Sequence, residues 1–247
     1  MGIKDKILIQ KLNDLYTDIC TPDFIHLDPV QFPRRFKKRE DIEIAALLAA
    51  TIAWGRRGMI LRSAEKMFAL MKPSPFDFIM SGEYKKLKNS NIHRTFFESD
   101  LKYFCRGLEQ CYAKYGSIEK MFTGADVWEG IALFREETAK ANKGVFSRHV
   151  SNPGDERTNG SACKKLNLAL RWLVRKDAVD LALWKSIKPA ALYIPLDVHV
   201  SRTARSLGLL ERKSNDKKAV IELTGKLREI CPEDPVRYDF ALFGAHM

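Results

Sequence analysis

The sequence predicts an all-α fold, and two observations support that class. Apolar residues recur every three or four positions through most of the 247 residues, which is the spacing of an amphipathic helix. Alternation of apolar and polar residues, the pattern of a half-buried strand, is not sustained along the sequence. Apolar residues make up 45% of the chain, which suffices for a buried core and excludes disordered and collagen-like classes.

The helices of the first half can be placed from this periodicity and from the residues that interrupt it. We expect amphipathic helices at 43–54, 59–71, 100–115, 117–123 and 126–141. Pro73 stops the second of them, and Gly116 separates the third from the fourth. These positions follow from local pattern alone.

The second half begins with an irregular segment. Residues 149–161 are dense in Asn, Gly, Pro and Ser, which predicts a loop and makes it the best-placed irregular segment to carry function. Further helices are expected at 162–175, from about 197, and at 217–230.

The expected domain organisation is one all-α unit over 1–247. Within it we expect helical subdomains at approximately 40–150 and 151–247. The N-terminal helix, 1–20, is expected to pack on the C-terminal part.

The charge balance indicates the class of partner. Forty-two Lys and Arg residues against 31 Asp and Glu give a formal net charge of +11, which a polyanion partner explains better than a small neutral substrate does. The alternative is a basic cytosolic protein with no such partner. No run of about 18 apolar residues or signal peptide is present, so we expect a cytoplasmic location and no membrane partner. The five cysteines include no C-x-x-C pair, which favours reduced, mostly buried thiols over a metal site.

The segment "IPLDVHVSR" joins a proline-led turn to the start of a helix. Asp197 is well placed to cap that helix by accepting free N–H groups of the first turn. The same carboxylate could instead serve an active site, because a helix N-terminus attracts phosphate and His199, Ser201 and Arg202 are typical phosphate donors. An Asp-x-His metal pair is a third interpretation, although no cluster of further ligands is nearby in the sequence.

The segment "GSACKKLN" places two lysines in the first turn of a helix that Gly160 and Ser161 are expected to open. The positive end of the helix dipole repels cations, so lysine is electrostatically misplaced there. Neighbouring positive charge and burial generally lower a lysine pKa and favour a nucleophilic amine. A solvated basic helix start is the alternative interpretation.

Only one of the two lysines can face a given pocket, because successive helical residues point about 100° apart. Lys164 shares a face with Leu168, Arg171 and Arg175. Lys165 shares a more apolar face with Leu168, Ala169 and Trp172. We take Lys164 as the candidate nucleophile and Lys165 as the alternative.

Together, "GSACKKLN" and "PLDVHVSR" resemble the signature of the helix-hairpin-helix (HhH-GPD) DNA glycosylase superfamily, which includes endonuclease III and the 8-oxoguanine DNA glycosylases. That signature is Gly-Val-Gly-x-Lys-(Thr/Val)-Ala-(Asn/Asp), followed by Val-Asp-(Thr/Val)-His-(Val/Ile/Met). The resemblance places Gly160 at the first glycine, Lys164 at the nucleophile and Asp197 at the catalytic carboxylate. Asn167 takes the Asn/Asp position.

The resemblance extends to "AALLAATIAWGRRGMILRSAEKMF", which is similar to the superfamily's upstream helix pair, and to the tail "PVRYDFALFG". The chain departs from the pattern at Ala162, which replaces the second glycine. Cys231 stands alone where the endonuclease III branch has four cysteines, so the chain is closest to the iron–sulfur-free 8-oxoguanine branches. The whole chain is also similar to a bacterial protein family of unknown function.

The resemblance implies base-excision repair: a DNA glycosylase/AP lyase that acts on a damaged base, such as an oxidised purine, in duplex DNA. It implies two packed helical subdomains with a cleft between them, a nucleoid-associated bacterial protein, no cofactor, no metal and no obligate protein partner. The residues expected to bind nucleic acid are His199, Ser201, Arg202, Gly160, Ser161, Arg171, Arg175, Arg56 and Arg57. The residues expected to line the base pocket or fill the gap left by the flipped base are Trp54, Trp172, Trp184 and Phe243.

Two other classes of function stay open at this point. A non-catalytic nucleic-acid-binding protein would retain the glycosylase fold without the chemistry, and the altered hairpin favours it. A helical adaptor between proteins would have no basic cleft.

Overall fold

The structure is a computed structural model that describes residues 3–124, 126–155 and 157–244. It is mostly helical, which confirms the predicted helical class. A two-stranded antiparallel hairpin, formed by β1 (Asn91–His93) and β2 (Phe96–Phe97), was not predicted. Its strands are too short for a period of two to be visible in the sequence.

The α-helices, numbered in chain order, are α1 (Ile3–Ile19), α2 (Pro22–Leu27), α3 (Arg39–Thr51), α4 (Arg57–Ala69), α5 (Pro75–Met80), α6 (Glu98–Tyr115), α7 (Val127–Ala141), α8 (Lys164–Val174), α9 (Val198–Ser206), α10 (Lys217–Ile230) and α11 (Asp239–Gly244). Short 3-10 helices connect them at Pro29–Gln31, Pro33–Arg35, Glu83–Lys86, Glu119–Phe122, Pro189–Ala191 and Pro235–Tyr238. The segment expected as a helix at 117–123 is one of these 3-10 helices.

The chain divides into two compact units. We call Ile25–Ser151 the middle unit, and Met1–Phe24 with Asn152–Met247 the terminal unit. The cleft expected between two subdomains stays a prediction.

The core of the middle unit is built around α3, whose residues from Ile44 to Ala50 are all buried. Alanines make α3 narrow, which lets neighbouring elements approach it closely. Helices α6 and α7 also pack closely, because Gly107 of α6 faces Thr138 of α7 without a Cβ atom between them.

The core of the terminal unit is built around α8, whose Trp172 and Leu173 side chains are fully buried. Helix α1 packs against α11, where the Tyr16 ring meets the Phe240 ring at 6.1 Å. Helix α11 also packs against α9. This arrangement brings the starts of α8, α9 and α11 into one unit.

Among the helices of the described ranges, none combines the length and apolar character that a membrane crossing requires.

Two interior helix glycines allow a test of the α6–α7 packing. A Cβ on Gly107 would lie 2.6 Å from Thr138 Cγ2 and 3.1 Å from its Cα, whereas a Cβ on Gly225 of α10 would meet no atom within 4 Å. Because Ala stabilises a helix interior by about 1 kcal/mol over Gly, Gly225→Ala should raise the free energy of unfolding by up to that amount. Gly107→Ala should instead lower it by about 1–2 kcal/mol through overpacking. Urea unfolding of both variants measures this, and equal stabilisation would show that the α6–α7 contact is not close.

Candidate active site

The first half of the site is the start of α9, where Asp197 is the N-cap residue. Its Oδ1 atom accepts hydrogen bonds from the backbone N–H groups of His199 and Val200, both at 2.9 Å. The backbone of Asp197 is extended, which is the usual conformation of an N-cap residue. The capping interpretation of "IPLDVHVSR" is therefore confirmed, and it uses only one of the two carboxylate oxygens.

The second half of the site is the start of α8, which begins at Lys164 and not at Gly160 as expected. Cys163 precedes it in the left-handed region, with φ of 45°, and gives no side-chain cap. Upstream, Gly160 packs so closely on Pro153 that a Cβ there would lie 1.9 Å from the Pro153 carbonyl oxygen. This tight loop places the two lysines in the first turn of α8, as predicted.

The structure brings the two halves together. Lys164 Nζ lies 3.4 Å from Asp197 Oδ2, the oxygen that the cap leaves available. The Lys164 side chain is 29% exposed and the Asp197 side chain 16% exposed, so both are partly covered and neither is fully buried. An amine beside a fixed carboxylate has the geometry of a lysine nucleophile with an electrostatic partner.

Lys165 is also half-buried, but it is the next residue along the helix and so points about 100° away from Lys164. Lys164 is the residue that forms the ion pair with Asp197.

Arg171 and Arg175 do not face nucleic acid, and the expectation for them is wrong. They are 4% and 1% exposed and bind buried carboxylates. Their partners are Asp239 (2.5 Å) and Asp180 (3.3 Å) for Arg171, and Asp177 (2.6 Å), Asp180 (2.5 Å) and Asp234 (2.8 Å) for Arg175. We call these residues the arginine cluster. A cation with this much burial needs its acidic partners, so the cluster is structural.

The pKa values of two of the cluster's acids are shifted in opposite directions, because the groups around them differ. Burial raises the pKa of Asp180 to about 7, although Arg171 and Arg175 oppose the shift. The pKa of Asp177 is lowered overall, because Arg175 and two backbone N–H groups outweigh its burial. The pKa of Arg175 is raised, since Asp234 and Asp180 outweigh the burial that lowers it.

Asp239 is a residue that sequence reasoning missed. It is 5% exposed, and burial raises its pKa to about 6, with the Asp197 charge adding to the shift and Arg171 and Lys164 opposing it. The sequence does contain a signal for it: in "YDF" a single acid stands between two aromatic residues, in a segment whose other residues are mostly those of a buried core.

The remaining phosphate-donor candidates of the terminal unit divide by exposure. His199, Arg202 and Ser161 are exposed and close in sequence to the Lys164–Asp197 pair. Ser201 is 1% exposed, and its hydroxyl donates to the Val198 carbonyl and accepts from Asn215 Nδ2, so its assignment to phosphate binding is wrong. Gly160 is buried in the tight loop, which excludes direct contact with a phosphate.

The base-pocket candidates also divide by exposure. Trp172 and Trp184 are 0% and 1% exposed, so neither has a ring face available for stacking and both assignments are wrong. Phe243 is half-buried, and its ring meets the His199 imidazole at 6.1 Å. It is thus the aromatic candidate of the terminal unit that can reach the surface near α9.

In the middle unit, Trp54 contacts two buried histidines. Its ring meets that of His93 at 4.6 Å and that of His149 at 5.8 Å. His93 also bonds the Trp54 carbonyl oxygen at 2.8 Å, which fixes the chain just before the "GRR" turn. Trp54 is half-buried, while Arg56 is exposed and Arg57 half-buried.

Two further exposed arginines lie beside this turn. The Arg94 guanidinium lies against Gly55, and the Arg148 side chain donates to the Thr95 carbonyl at 2.6 Å. Sequence reasoning missed both, because folding brings the β1–β2 turn and the segment after α7 together. With Arg56 they form a basic surface, which we call the arginine surface of the middle unit.

Within the described residues, no group of three or more His, Cys, Asp or Glu side chains has the arrangement of a metal site. The cysteines are free thiols, and all but the half-buried Cys20 are buried, as predicted from their spacing.

Residues 28–247 match the model of a family described as "Protein of unknown function (DUF2400)". The chain belongs to this DUF2400 family. No curated protein and no solved structure matches the chain. The family's description assigns no activity.

The structural role of the arginine cluster can be tested with two arginines of the terminal unit. Arg175→Met leaves buried carboxylates without their cation and should lower the free energy of unfolding by about 3–5 kcal/mol. Arg202→Met, on the exposed face of α9, should change it by less than about 0.5 kcal/mol. Denaturant unfolding of both variants is the measurement. A near-neutral Arg175→Met would contradict the assignment.

Proposed function

We propose that this protein is a DNA glycosylase/AP lyase of base-excision repair, with Lys164 as nucleophile and Asp197 as its carboxylate partner. The observation that carries the proposal is the 3.4 Å distance between Lys164 Nζ and Asp197 Oδ2. The helix-hairpin-helix glycosylase signature uses this pair of residue types, and a mostly helical fold is compatible with that superfamily.

The two oxygens of Asp197 have different partners, which supports a different role for each. Oδ1 accepts hydrogen bonds from two backbone N–H groups, which keeps the carboxylate in place. Oδ2 faces the amine. A fixed anion there can stabilise the positive charge that develops at the sugar C1′ as the base departs.

The reaction then follows from the amine. Neutral Lys164 donates its lone pair to form the Nζ–C1′ bond, while the C1′–base bond breaks and its electron pair leaves on the base, which takes up a proton. The proton that the base takes up is the first of the two amine protons, and the second passes to O4′ as the C1′–O4′ bond opens with its electron pair on O4′. The product is an imine between Lys164 and the sugar. Strand cleavage by β-elimination can follow. A damaged base has to be extruded from the duplex first, and an oxidised purine is our candidate.

We assign contacts with the duplex to polar and basic side chains of each unit, taken separately. In the terminal unit, the side chains assigned to phosphate contacts are those of His199, Arg202 and Ser161. On the middle unit, Arg56, Arg57 and the neighbouring Arg94 and Arg148 serve this role, and Trp54 is the candidate to fill the gap that the flipped base leaves. The net charge of +11 supports a phosphate-dominated interaction.

Borohydride trapping tests the nucleophile directly. Wild-type protein should form a covalent adduct with duplexes that contain 8-oxoguanine, uracil or an abasic site, and the abasic duplex needs no base recognition. Lys164→Gln should abolish the adduct because the imine cannot form. Lys165→Gln is the matched control and should retain it, since Lys165 projects from α8 about 100° away from Lys164.

An adduct that disappears in Lys165→Gln and persists in Lys164→Gln would move the nucleophile by one residue. Absence of any wild-type adduct would contradict the glycosylase/lyase mechanism. If DNA affinity then falls steeply with salt and is unchanged in Lys164→Gln, the non-catalytic nucleic-acid-binding alternative holds. The arginine surface favours that alternative in such a case, because its Arg56, Arg94 and Arg148 are remote in sequence from the pair.

Asp197→Asn separates capping from chemistry. Asn caps helices about as well as Asp, so the free energy of unfolding should change by less than about 1 kcal/mol. Because the negative charge beside Lys164 is lost, we expect the trapping rate on an abasic duplex to fall by about 10²–10⁴-fold. Rates and stability are measured on the same preparations. A variant that loses rate only in proportion to stability would contradict the electrostatic role.

A further inference from the structure

Asp239, the first residue of α11, is a buried acid whose two oxygens have different surroundings. Oδ2 accepts a hydrogen bond from Arg171 Nη1 at 2.5 Å. Oδ1 is buried, and in the part of the chain that the structure describes it has no hydrogen-bond partner. A buried acceptor without a donor is rare in folded proteins and calls for an explanation.

The face of α8 against which Asp239 packs holds a second such oxygen. Lys164, Asn167 and Arg171 are three and four residues apart, so they share that face. Asn167 is 1% exposed and donates from Nδ2 to the Ala162 carbonyl at 3.1 Å, and its Oδ1 has no partner among the described residues. This part of the unit therefore has a surplus of buried acceptors. A carboxylic acid O–H on Asp239 would supply a donor there.

The charged groups that face Asp239 come from the candidate active site and the arginine cluster. Helix α8 contributes Arg171 and Lys164, and the start of α9 contributes Asp197, since the charges of all three act on Asp239. Arg171 is shared with Asp180, another buried acid.

Helix α9 also carries His199, whose ring meets that of Phe243 in α11 at 6.1 Å. The groups on α1 and on the 3-10 helix before α11 are tyrosines and an arginine. Burial raises the pKa of Tyr16 in α1 to about 12. Burial also raises the pKa of Tyr238, in the 3-10 helix before α11. Arg237 of the same segment lies over the Tyr16 ring, with 4.3 Å between its guanidinium carbon and the ring centroid.

We propose that Asp239 is the proton acceptor that converts the Lys164 ammonium into the neutral amine, a role that rests on the proposed function. In this step one N–H bond of Lys164 breaks, its electron pair stays on Nζ, and the proton forms an O–H bond on the Asp239 carboxylate. The charge of the site is unchanged, because an ammonium and a carboxylate become an amine and a carboxylic acid. No co-reactant is needed.

Asp197 is less suited to accept this proton. Its Oδ1 already accepts hydrogen bonds from two backbone N–H groups at the start of α9, so both lone pairs of that oxygen are in use. The proposed mechanism also requires it to stay ionised while charge develops at C1′. Asp239 has a bare oxygen, and a pKa raised from 3.8 to about 6 makes it a better proton acceptor than an ordinary Asp by about a hundredfold.

The first experiment is the pH profile of borohydride trapping on an abasic duplex under single-turnover conditions. In wild-type protein the rate should rise with pH through an inflection near 6, because below it Asp239 already holds a proton. Asp239→Asn should lower the rate at pH 7.5 by about 100-fold and remove the inflection. Asp180→Asn is the matched control, since it removes the other buried acid bound to Arg171, and it should retain the inflection. Equal profiles for the two variants would show that both act only through Arg171 and would overturn the proposal.

The second experiment does not depend on DNA chemistry. Reductive ¹³C-methylation of the lysines gives NMR signals whose shifts report nearby ionisations, and the Lys164 signal is identified by its absence in Lys164→Arg. In the wild-type protein this signal should show an inflection near pH 6, and Asp239→Asn should remove it. Absence of the wild-type inflection overturns the proposal, even if Asp239→Asn fails to fold. An inflection without any covalent adduct would instead overturn the proposed function and leave the proton coupling between Asp239 and Lys164 in place.

Discussion

Two buried guanidinium groups, those of Arg171 and Arg175, fix the helix that carries Lys164. Both belong to α8, and their carboxylate partners come from the segment after α8, from the segment before the last 3-10 helix and from α11. An unpaired charge in the core costs several kcal/mol, so rotation or sliding of α8 that breaks these pairs is strongly disfavoured. The Phe240 ring, 4.2 Å from the Arg171 guanidinium carbon, adds a further contact with α11. The position of the Lys164 amine therefore depends on charges about two helical turns away.

Asp197 has two structural roles, because it caps α9 with one carboxylate oxygen and contacts Lys164 with the other. The cap fixes the side chain by two hydrogen bonds, and a fixed side chain can hold an ion pair without a further loss of side-chain entropy. The two interpretations of "IPLDVHVSR" are thus compatible. A single residue type, Asp, satisfies both requirements at this position.

Local features of the fold could be predicted, whereas features that depend on which face is buried could not. Helical periodicity located α3, α4, α6 and α7, and the N-cap at Asp197 followed from residue type and spacing. The same periodicity placed Lys164, Arg171 and Arg175 on one face of α8, but it does not show whether that face meets solvent. The acids that pair with the two arginines can be distant in sequence. Asp239, for example, lies 68 residues after Arg171. The proximity of Lys164 to Asp197 was expected only from a family resemblance, because 33 residues separate them.

The charge on the Lys164 amine is opposed by the dipole of α8 and favoured by two carboxylates, those of Asp197 and Asp239. Only one of these three influences changes with protonation near neutral pH. The positive end of the α8 dipole disfavours an ammonium at the first helical residue, and this influence is fixed by the backbone. The carboxylate of Asp197, which the cap holds in place, favours the ammonium. Asp239 also favours it, but only while it is ionised, and burial brings its pKa to about 6. When Asp239 takes up a proton, one of the two negative charges near the amine is removed and the dipole of α8 is opposed by Asp197 alone. The adjustable part of this balance is therefore the buried acid of α11, which lies outside the motif that identifies the pair.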